Sequence, residues 1–480
     1  MRPAPIMTKL RPLALLTAAL LTGCAVGPNY VRPTVETPPA FKEAQGWVRA
    51  EPQDAAPRGD WWSVLNDPVL DGLEKQVEVS NQNLAAAEAG YRQAHAMVSE
   101  QRAALFPTIG LTGSGQRSER GSNATNTSGG GLAASGARNT FQVGGTASWE
   151  PDLWGRIRRT VEAARAQAQA SEADLANARL SAQSELATDY VQLRADDEIK
   201  RLTDATVDGY QRSMQIAQNR YNAGLAAKSD LLTAQTQLAN AQAQSAELAR
   251  QRAVLEHAIA VLTGHPPAAL TLTVAAWGPT VPEPPGATPS TLLQRRPDIA
   301  SAERKVAAAN AQIGVQEAAY FPTLDLSAQG GVTSSALGSL FSASSTFWSL
   351  GANVAETILD FGARKAKVAE AKAGYDQTVA QYRQTVLSAF QEVEDALSAG
   401  RILADEAPLR AQASQAADQA EQIALNQYKA GTADYTTVVV AQSNALNARQ
   451  ALIDNQRDRI TAAVDLITAL GGGWTNHPPP

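Results

Sequence analysis

Four short segments of the chain alternate between apolar and polar residues. They are residues 106–117, 139–150, 321–332 and 346–359. In each segment one face is apolar, as at Leu324 and Leu326, and the other carries mostly Thr, Ser, Gln or Asn. Strands of about ten residues with this alternation are typical of membrane β-barrels that have a wet interior. A soluble sheet that faces water on one side would give the same alternation. The pattern therefore predicts four β-strands in two pairs.

Between the strand pairs the pattern changes to that of long helices. Residues 157–221 contain no proline and a single glycine, and a helix over them would be about 97 Å long. Small or apolar residues recur there at alternating steps of three and four, which is the spacing of a coiled-coil seam. A second such stripe lets the helix pack against neighbours on both flanks. The alternative is an ordinary surface helix rich in alanine.

The same succession of landmarks occurs twice, which predicts an internal duplication. An offset of 207 residues carries Trp154-Gly155 onto Phe361-Gly362, Tyr221 onto Tyr428, and Ala223-Gly224 onto Ala430-Gly431. An earlier landmark, Phe106-Pro107, recurs as Phe321-Pro322 at an offset of 215. Each copy therefore consists of a strand pair followed by a helical hairpin, and the second copy is shorter by a few loop residues.

These features divide the chain into six segments. They are a signal peptide (1–23), an extended arm (24–60), a first repeat (61–265) with its hairpin at 157–263, a Pro-rich connector (266–297), a second repeat (298–471) with its hairpin at 362–470, and a tail (472–480). Asp67 and Pro68 suit the N-cap and first position of a helix. Pro408 falls within the second long helix and is expected to break or kink it.

The N-terminus reads as a bacterial secretion signal. Lys9 and Arg11 precede an apolar run at residues 13–21, which is too short to span a bilayer but suits a signal-peptide core. Translation starting at Met7 would preserve this segment. The only cysteine of the chain, Cys24, follows Leu-Thr-Gly directly, so no disulfide can form within one chain. The alternative is that the cysteine is incidental.

Composition excludes several classes of function. The net charge is −6 and the pI is about 5.5, so nothing suggests nucleic-acid binding. The four histidines form no metal-ligand cluster in the sequence, and no phosphate-binding glycine loop or nucleophile elbow is present. We therefore expect no catalytic residue, no metal and no enzyme activity.

Four strands cannot form a closed barrel alone. An open sheet in lipid leaves two edges whose unpaired backbone groups each cost several kcal/mol. Two chains would supply eight strands, whose interior fills with side chains, whereas three would supply twelve and leave an aqueous lumen. The polar faces of the strands favour three copies.

Several stretches together resemble the TolC-like outer-membrane efflux factors, and most closely their NodT-type lipoprotein branch. They include Cys24-Ala-Val-Gly-Pro-Asn-Tyr30, Asp60-Trp-Trp62, Leu255-Glu-His257, Leu293-Gln-Arg-Arg-Pro-Asp298, Ala309-Asn-Ala-Gln-Ile-Gly314, Tyr382-Arg-Gln384, Glu392-Val-Glu-Asp395 and Ala469-Leu-Gly-Gly-Gly-Trp474. Each stretch alone is a weak signal, and the resemblance extends over nearly the whole mature chain.

The resemblance implies a mixed fold of α-helices and membrane β-strands. Three chains form a twelve-stranded barrel in the outer membrane, standing on a long periplasmic α-helical barrel. Such channels conduct drugs, toxic compounds or metal ions passively from an inner-membrane pump, often of the resistance-nodulation-division (RND) type, and a periplasmic adaptor. Leu-Thr-Gly-Cys24 resembles the lipobox, which implies diacylglycerol and an N-acyl chain on Cys24. Three alternatives are a structural coiled-coil lipoprotein of the envelope, a general porin, and a polypeptide-secretion duct of the same fold.

The resemblance also indicates two groups of functional residues. The periplasmic tip and gate comprise Arg220, Tyr221, Gly224, Asp230, Tyr428, Gly431, Asp434 and Val440. The junctions between barrel and helices comprise Phe106, Pro107, Trp154, Gly155, Phe321, Pro322, Phe361 and Gly362. In the family, polar bonds between coils close the mouth, so Asp230→Ala or Tyr428→Phe is expected to raise conductance.

Two features qualify this interpretation of the tip. Many relatives carry an acidic residue at the position of Val440, so an apolar constriction could replace an acidic ring here. The tip glycines also suit helix ends, and Ser229 and Asp434 suit N-caps, whatever the function.

Overall fold

A computed structural model describes residues 25–35, 41–43, 59–119, 137–275, 278, 281–282 and 296–472. The predicted signal peptide, Cys24, most of the Pro-rich connector and nearly all of the predicted tail lie outside these residues. By internal contacts the chain forms two compact units. One comprises residues 1–33, 92–169 and 303–380, and the other comprises residues 34–91, 170–302 and 381–480.

Seven helices and four strands of the described residues follow one another in two similar series. The first series is α1 (Pro68–Ser80), α2 (Gln82–Ala103), β1 (Thr108–Ser118), β2 (Arg138–Trp149), α3 (Arg156–Asn222) and α4 (Lys228–Leu262). The second series is α5 (Pro297–Ala318), β3 (Thr323–Ser334), β4 (Thr346–Ala355), α6 (Ala363–Ala430) and α7 (Tyr435–Ala469). The duplication seen in the sequence is thus a duplication of strand hairpin and helical hairpin.

The four strands form one antiparallel sheet in the order β1-β2-β3-β4. Its central pairing joins the two halves of the chain, with Phe141 opposite Ser334 and Trp149 opposite Leu326. Strands β1 and β4 are the edges. Both β1 and β3 begin directly after a Phe-Pro pair, because proline has no N–H to give to a ladder and disfavours the helical region at the residue before it.

The helix starts follow local capping chemistry. Helix α1 begins with Pro68, and the Asp67 carboxylate accepts the N–H groups of Val69 at 2.8 Å and Leu70 at 3.2 Å. The Asn81 side chain caps the following helix in the same way, accepting the N–H groups of Asn83 and Leu84. These caps satisfy donors that the first turn of a helix leaves unpaired.

The two long helices are continuous. Helix α3 has 67 residues, or about 100 Å, and α6 has 68 residues with Pro408 inside it. Of the two outcomes expected at Pro408, a break or a kink, the break was therefore wrong. The ring removes one backbone hydrogen bond, to the carbonyl of Ala404, and that residue is exposed, so water can solvate the oxygen.

The larger unit has an apolar core around Trp61 and Trp62, which pack edge to face with ring centroids 6.0 Å apart. Side chains from α1, the middle of α3, and the ends of α4 and α7 complete it, among them Leu70, Val77, Leu186, Leu193, Ile259 and Ile460. In the described part of the chain, no helix is both long and apolar enough to cross a membrane.

Candidate functional site

The sheet has an apolar face that no other element among the described residues covers. Ile109, Leu111, Trp348 and Leu350 are each more than three-quarters exposed. Large apolar side chains exposed together on one surface indicate contact with lipid or another protein. The unpaired backbone groups of β1 and β4 require strand partners from other chains if the sheet lies in lipid.

Two tryptophans connect the ends of the strands to the helices. The Trp149 indole N–H donates to the Leu105 carbonyl at 3.0 Å, and the Trp154 indole N–H donates to the Pro322 carbonyl at 2.7 Å. Trp154 also stacks on Phe321, with ring centroids 4.8 Å apart. Both carbonyls lie where a helix gives way to a strand, so the indoles satisfy acceptors that neither element uses.

The turns into the two long helices are built alike. Gly155 and Gly362 have φ values of +85° and +93°, in the left-handed region that favours glycine. Before each glycine, an aspartate accepts backbone N–H groups of the new helix: Asp152 from Ile157 and Arg158, and Asp360 from Gly362 and Arg364. The Arg364 side chain and these N–H groups lower the pKa of Asp360 to about 2.

The remaining predicted junction residues differ in exposure, from the intermediate Pro322 and the 38%-exposed Phe321 to the fully accessible Phe361. Phe361 has a φ of +50° and is 93% exposed, and Phe106 is 68% exposed. Phe106 and Phe321 stand directly before Pro107 and Pro322, where helix ends and strand begins. The structure thus places the junction residues at the boundary between sheet and helices, with Phe106 and Phe361 largely exposed and Trp154 and Phe321 stacked on each other.

The helical hairpins turn at their predicted glycines. Gly224 has a φ of +71° and Gly431 one of +77°. In each turn the N–H after the glycine reaches back to a carbonyl of the last helical turn, from Leu225 to Arg220 at 2.8 Å and from Thr432 to Gln427 at 3.0 Å. This is the Schellman pattern of helix ends.

The predicted N-caps at the tips behave differently from expectation. Helix α4 begins at Lys228 with Ala227 in the cap position, so Ser229 lies inside the first turn. Asp434 does occupy the cap position of α7, but its side chain makes no capping bond. The N-cap position expected of Ser229 was therefore wrong, whereas the one expected of Asp434 was right, although its side chain makes no capping bond.

Arg220 joins the two tips. Its guanidinium donates to the main-chain carbonyl of Tyr428 at 2.9 Å and lies 4.8 Å from the centre of the Tyr428 ring. Tyr428 in turn packs against Tyr435, with centroids 5.2 Å apart, over a small apolar core that includes Ala234 and Val438. The tips of the first and second hairpins are therefore packed together within one chain.

The Tyr428 hydroxyl has no hydrogen-bond partner among the described residues, although it is buried. Burial raises its pKa, the Arg220 charge opposes that shift, and the Asp230 charge adds to it. Asp230 is thus close to Tyr428 without binding its hydroxyl. Tyr221 and Val440 are exposed, at 39% and 54%.

Sequence reasoning missed two contributors to this cluster. Tyr435 is almost fully buried against Tyr428, and its position next to the second tip was the available signal. Gln442 is buried and donates weakly to the Ser213 hydroxyl at 3.4 Å, while its carbonyl oxygen has no partner in the described part of the chain. Nothing in the sequence indicates this contact between α7 and α3.

A four-stranded amphipathic sheet carried by two long helical hairpins defines the class of outer-membrane channel subunits. A sequence profile described as "Outer membrane efflux protein" matches residues 73–265 and 288–472, which correspond to the two repeats. The chain belongs to this family. This match confirms the predicted family and fold class. It also confirms the predicted role as an outer-membrane efflux component and the outer-membrane location.

Individual relatives resemble almost the entire chain. The antibiotic efflux pump outer membrane protein ArpC of Pseudomonas putida is 32% identical, with 98% of this chain and 96% of ArpC covered. The cation efflux system protein CusC of Escherichia coli is 28% identical, with 98% of this chain and 100% of CusC covered. Among solved structures, the outer-membrane channel OprN has a TM-score of 0.85 at 29% identity, with 94% and 100% covered.

Proposed function

We propose that three copies of this chain close a twelve-stranded barrel in the outer membrane. The observation that carries this proposal is the four-stranded sheet, which has two unpaired edges and an uncovered apolar face. Three copies pair every edge and turn the Thr, Ser and Gln side chains of the other face towards a lumen wide enough for water.

The helical hairpins extend this lumen into the periplasm. Helices of about 100 Å with an apolar packing stripe on each of two sides can pack side by side into a closed helical barrel. A general porin does not need such a barrel. The periplasmic tips receive an adaptor protein and, through it, an inner-membrane pump of the RND type. The channel itself conducts passively and carries no catalytic site, since all energy comes from the pump.

The cargo is a small molecule. ArpC and CusC resemble this chain about equally, and their names refer to antibiotics and cations, so likeness to relatives does not select one chemical class. We place the selection of cargo in the pump, with the channel as a common exit. This argues for small molecules over secreted polypeptides.

Cys24 carries the lipid in this proposal. After signal cleavage it becomes the N-terminal residue, with diacylglycerol on sulfur and an acyl chain on the amine. Each buried methylene contributes about 0.8 kcal/mol, so several chains hold the protein firmly on a membrane. Metabolic labelling with radioactive palmitate tests the assignment, since Cys24→Ser must abolish the label.

Complementation tests the transport function. A host that lacks its own efflux channel is supplied with this chain together with the adaptor and pump encoded beside its gene. We expect restored resistance and lower accumulation of a fluorescent pump substrate, both abolished when the pump is inactivated. Accumulation as high as in the host without this chain, despite correct assembly of the channel in the outer membrane and of the adaptor and pump at the inner membrane, would overturn the proposal.

A further inference from the structure

The first residues after Cys24 lie against a buried arginine. Arg159, near the start of α3, is only 4% exposed. Its Nε donates to the Val26 carbonyl at 3.1 Å, and its Nη2 donates to the Gly27 carbonyl and to Asn29 Oδ1, both at 3.0 Å. The remaining Nη1 donates to Glu162 at 2.8 Å. Three of the four bonds made by this buried guanidinium therefore go to the arm.

Helix α5 and the turn before α3 hold the same segment from its other sides. The Asn310 amide donates to the Pro28 carbonyl at 2.9 Å, and the Val26 N–H donates to the Trp154 carbonyl at 3.0 Å. The Tyr30 hydroxyl donates to the buried Glu303 carboxylate at 2.5 Å. Three successive carbonyls of the arm thus accept bonds from side chains of α3 or α5.

The fit also depends on glycines. Gly27 has a φ of +95°, and a Cβ on it would lie 2.4 Å from the Gly314 Cα, so only glycine fits there. A Cβ on Gly314 would lie 2.9 Å from the Val26 carbonyl oxygen and 3.0 Å from the Arg159 side chain. On the other side, a Cβ on Gly155 would meet Ala25 at 2.7 Å.

We propose that Arg159, Asn310 and Gly314 form the centre of a receptor for residues 25–30 of this chain, and that this receptor keeps residue 25 at the turn between β2 and α3. The recognised ligand is an extended peptide with three consecutive carbonyls that accept hydrogen bonds and a glycine with a left-handed φ. After its proline come the side-chain amide of Asn29 and the phenol of Tyr30. Without that peptide, Arg159 would lose three of its four hydrogen bonds and keep only the one to Glu162. Loss of these partners by a buried charge is unfavourable. The hydrogen bonds of Arg159 are therefore all made only when residues 25–30 are docked.

The inference goes beyond the transport function. If Cys24 carries lipid as proposed, the receptor also determines where the acyl chains enter the membrane, because residue 24 directly precedes the residue held against Gly155. The lipid would then enter beside the end of β2. The docking itself needs no lipid, since the contacts described above join residues 25–30 to the helices and to the turn before α3.

Hydrogen–deuterium exchange of the full-length protein in detergent tests the receptor. We compare the wild type with Gly27→Ala, Gly314→Ala and Arg159→Lys, and use Gly374→Ala as the matched control. Gly374 is also a glycine within a helix of the same unit, and a Cβ there would meet nothing within 4 Å. Bilayer conductance of each variant is measured in parallel, so that loss of docking is distinguished from loss of the channel.

The Val26 amide, whose N–H donates to the Trp154 carbonyl, should exchange at least about tenfold faster in Gly27→Ala and Gly314→Ala than in the wild type, because undocking of the segment breaks that bond. Arg159→Lys should give an intermediate rate, since an ammonium group cannot reach three acceptors in a fork. Gly374→Ala should match the wild type. Equal protection in Gly27→Ala and wild type, or an unprotected arm in the wild type, would overturn the proposal whatever the conductance.

Discussion

Arg220 donates a hydrogen bond to the main-chain carbonyl of Tyr428 at 2.9 Å and lies over the ring of the same residue at 4.8 Å. The contact joins the tips of the two helical hairpins of one chain. Because the acceptor is a backbone oxygen, the identity of the Tyr428 side chain does not determine this bond. Any opening that separates the two tips has to break the Arg220 contact.

The first prediction concerns this contact. Arg220→Ala removes the hydrogen bond and the cation–π contact, which together amount to about 1–3 kcal/mol at a partly buried site. We expect a higher single-channel conductance in planar bilayers than for the wild type. Tyr428→Phe keeps both contacts and removes only a hydroxyl that has no partner in the described part of the chain, so it should change conductance little.

Arg212 provides the matched control for this prediction. It is an exposed arginine on the same helix, and Arg212→Ala removes an equal charge. Equal conductance of the Arg220 and Arg212 variants would show that the Arg220–Tyr428 contact does not help to close the channel. If Tyr428→Phe raised the conductance as much as Arg220→Ala, the Tyr428 hydroxyl would instead help to close the mouth, as the family resemblance implies.

A second prediction uses neighbouring residues on opposite faces of β4. Leu350 is 76% exposed on the apolar face, and Ser349 lies on the polar face. A lysine on the lipid face of a barrel costs about 2–4 kcal/mol near the membrane midplane, whereas a lysine in the lumen is solvated. Leu350→Lys should therefore reduce the amount of assembled protein in outer-membrane fractions, and Ser349→Lys should leave it unchanged and alter ion selectivity. Equal assembly of both variants would mean that β4 has no lipid-facing side.

A third prediction addresses the junction between strands and helices. Trp154→Phe keeps an aromatic ring on Phe321 but loses the hydrogen bond to the Pro322 carbonyl, at a cost of about 1 kcal/mol in each chain. We expect the assembled form to dissociate at a lower temperature on semi-native gels. Trp348→Phe, at an exposed tryptophan of the sheet, is the control and should leave the transition in place. Identical transitions for the two variants would show that the indole bond does not stabilise the junction.

The fourth prediction is a pH dependence that originates from Glu74. This side chain is fully buried in α1, and neither carboxylate oxygen has a partner among the described residues. Burial, reinforced by the charges of Glu78 and Asp71, raises the pKa of Glu74 to about 9. The native state therefore keeps the proton while the unfolded chain releases it above its ordinary pKa, so stability should fall as the pH rises from about 4.5 to 9.

Glu74→Gln removes this titration without changing the shape of the side chain. Its thermal midpoint should fall less between pH 5 and pH 8 than that of the wild type at one fixed scan rate, and it should exceed the wild-type midpoint at pH 8. Glu88→Gln, at an exposed glutamate of α2, should reproduce the wild-type slope. Parallel curves for Glu74→Gln and the wild type would show that Glu74 is ionised in the native protein.

Much of the fold was accessible from the sequence because its signals are local and repeated. Alternation of apolar and polar residues locates strands wherever one face meets lipid and the other meets water. Asp67 identifies a helix start because its side chain caps the helix, and Gly224 identifies a helix end because a residue without a side chain suits the left-handed turn there. Pro408 misled because one exposed turn of a very long helix can lose a hydrogen bond and remain helical. Ser229 misled because the turn, and not the available hydroxyl, determines where α4 begins.

The contacts at the site were less accessible for a physical reason. Arg220 and Arg159 both bind main-chain carbonyls of distant segments. Every residue has a main-chain carbonyl, so the sequence does not indicate which carbonyl an arginine binds. Gly27 and Gly314 have the same property, since a Cβ on Gly27 would meet the backbone of Gly314, and a Cβ on Gly314 would meet the Val26 carbonyl and Arg159. Such contacts depend on how the halves of the chain pack, which local patterns do not encode.

The account depends most directly on the claim that one chain supplies a third of a closed channel. Native mass spectrometry of the detergent-extracted protein, combined with conductance of the same sample in planar bilayers, tests it. We predict a complex of three chains that opens a water-filled pore. A single chain with an intact sheet that leaves the bilayer non-conducting would contradict the account.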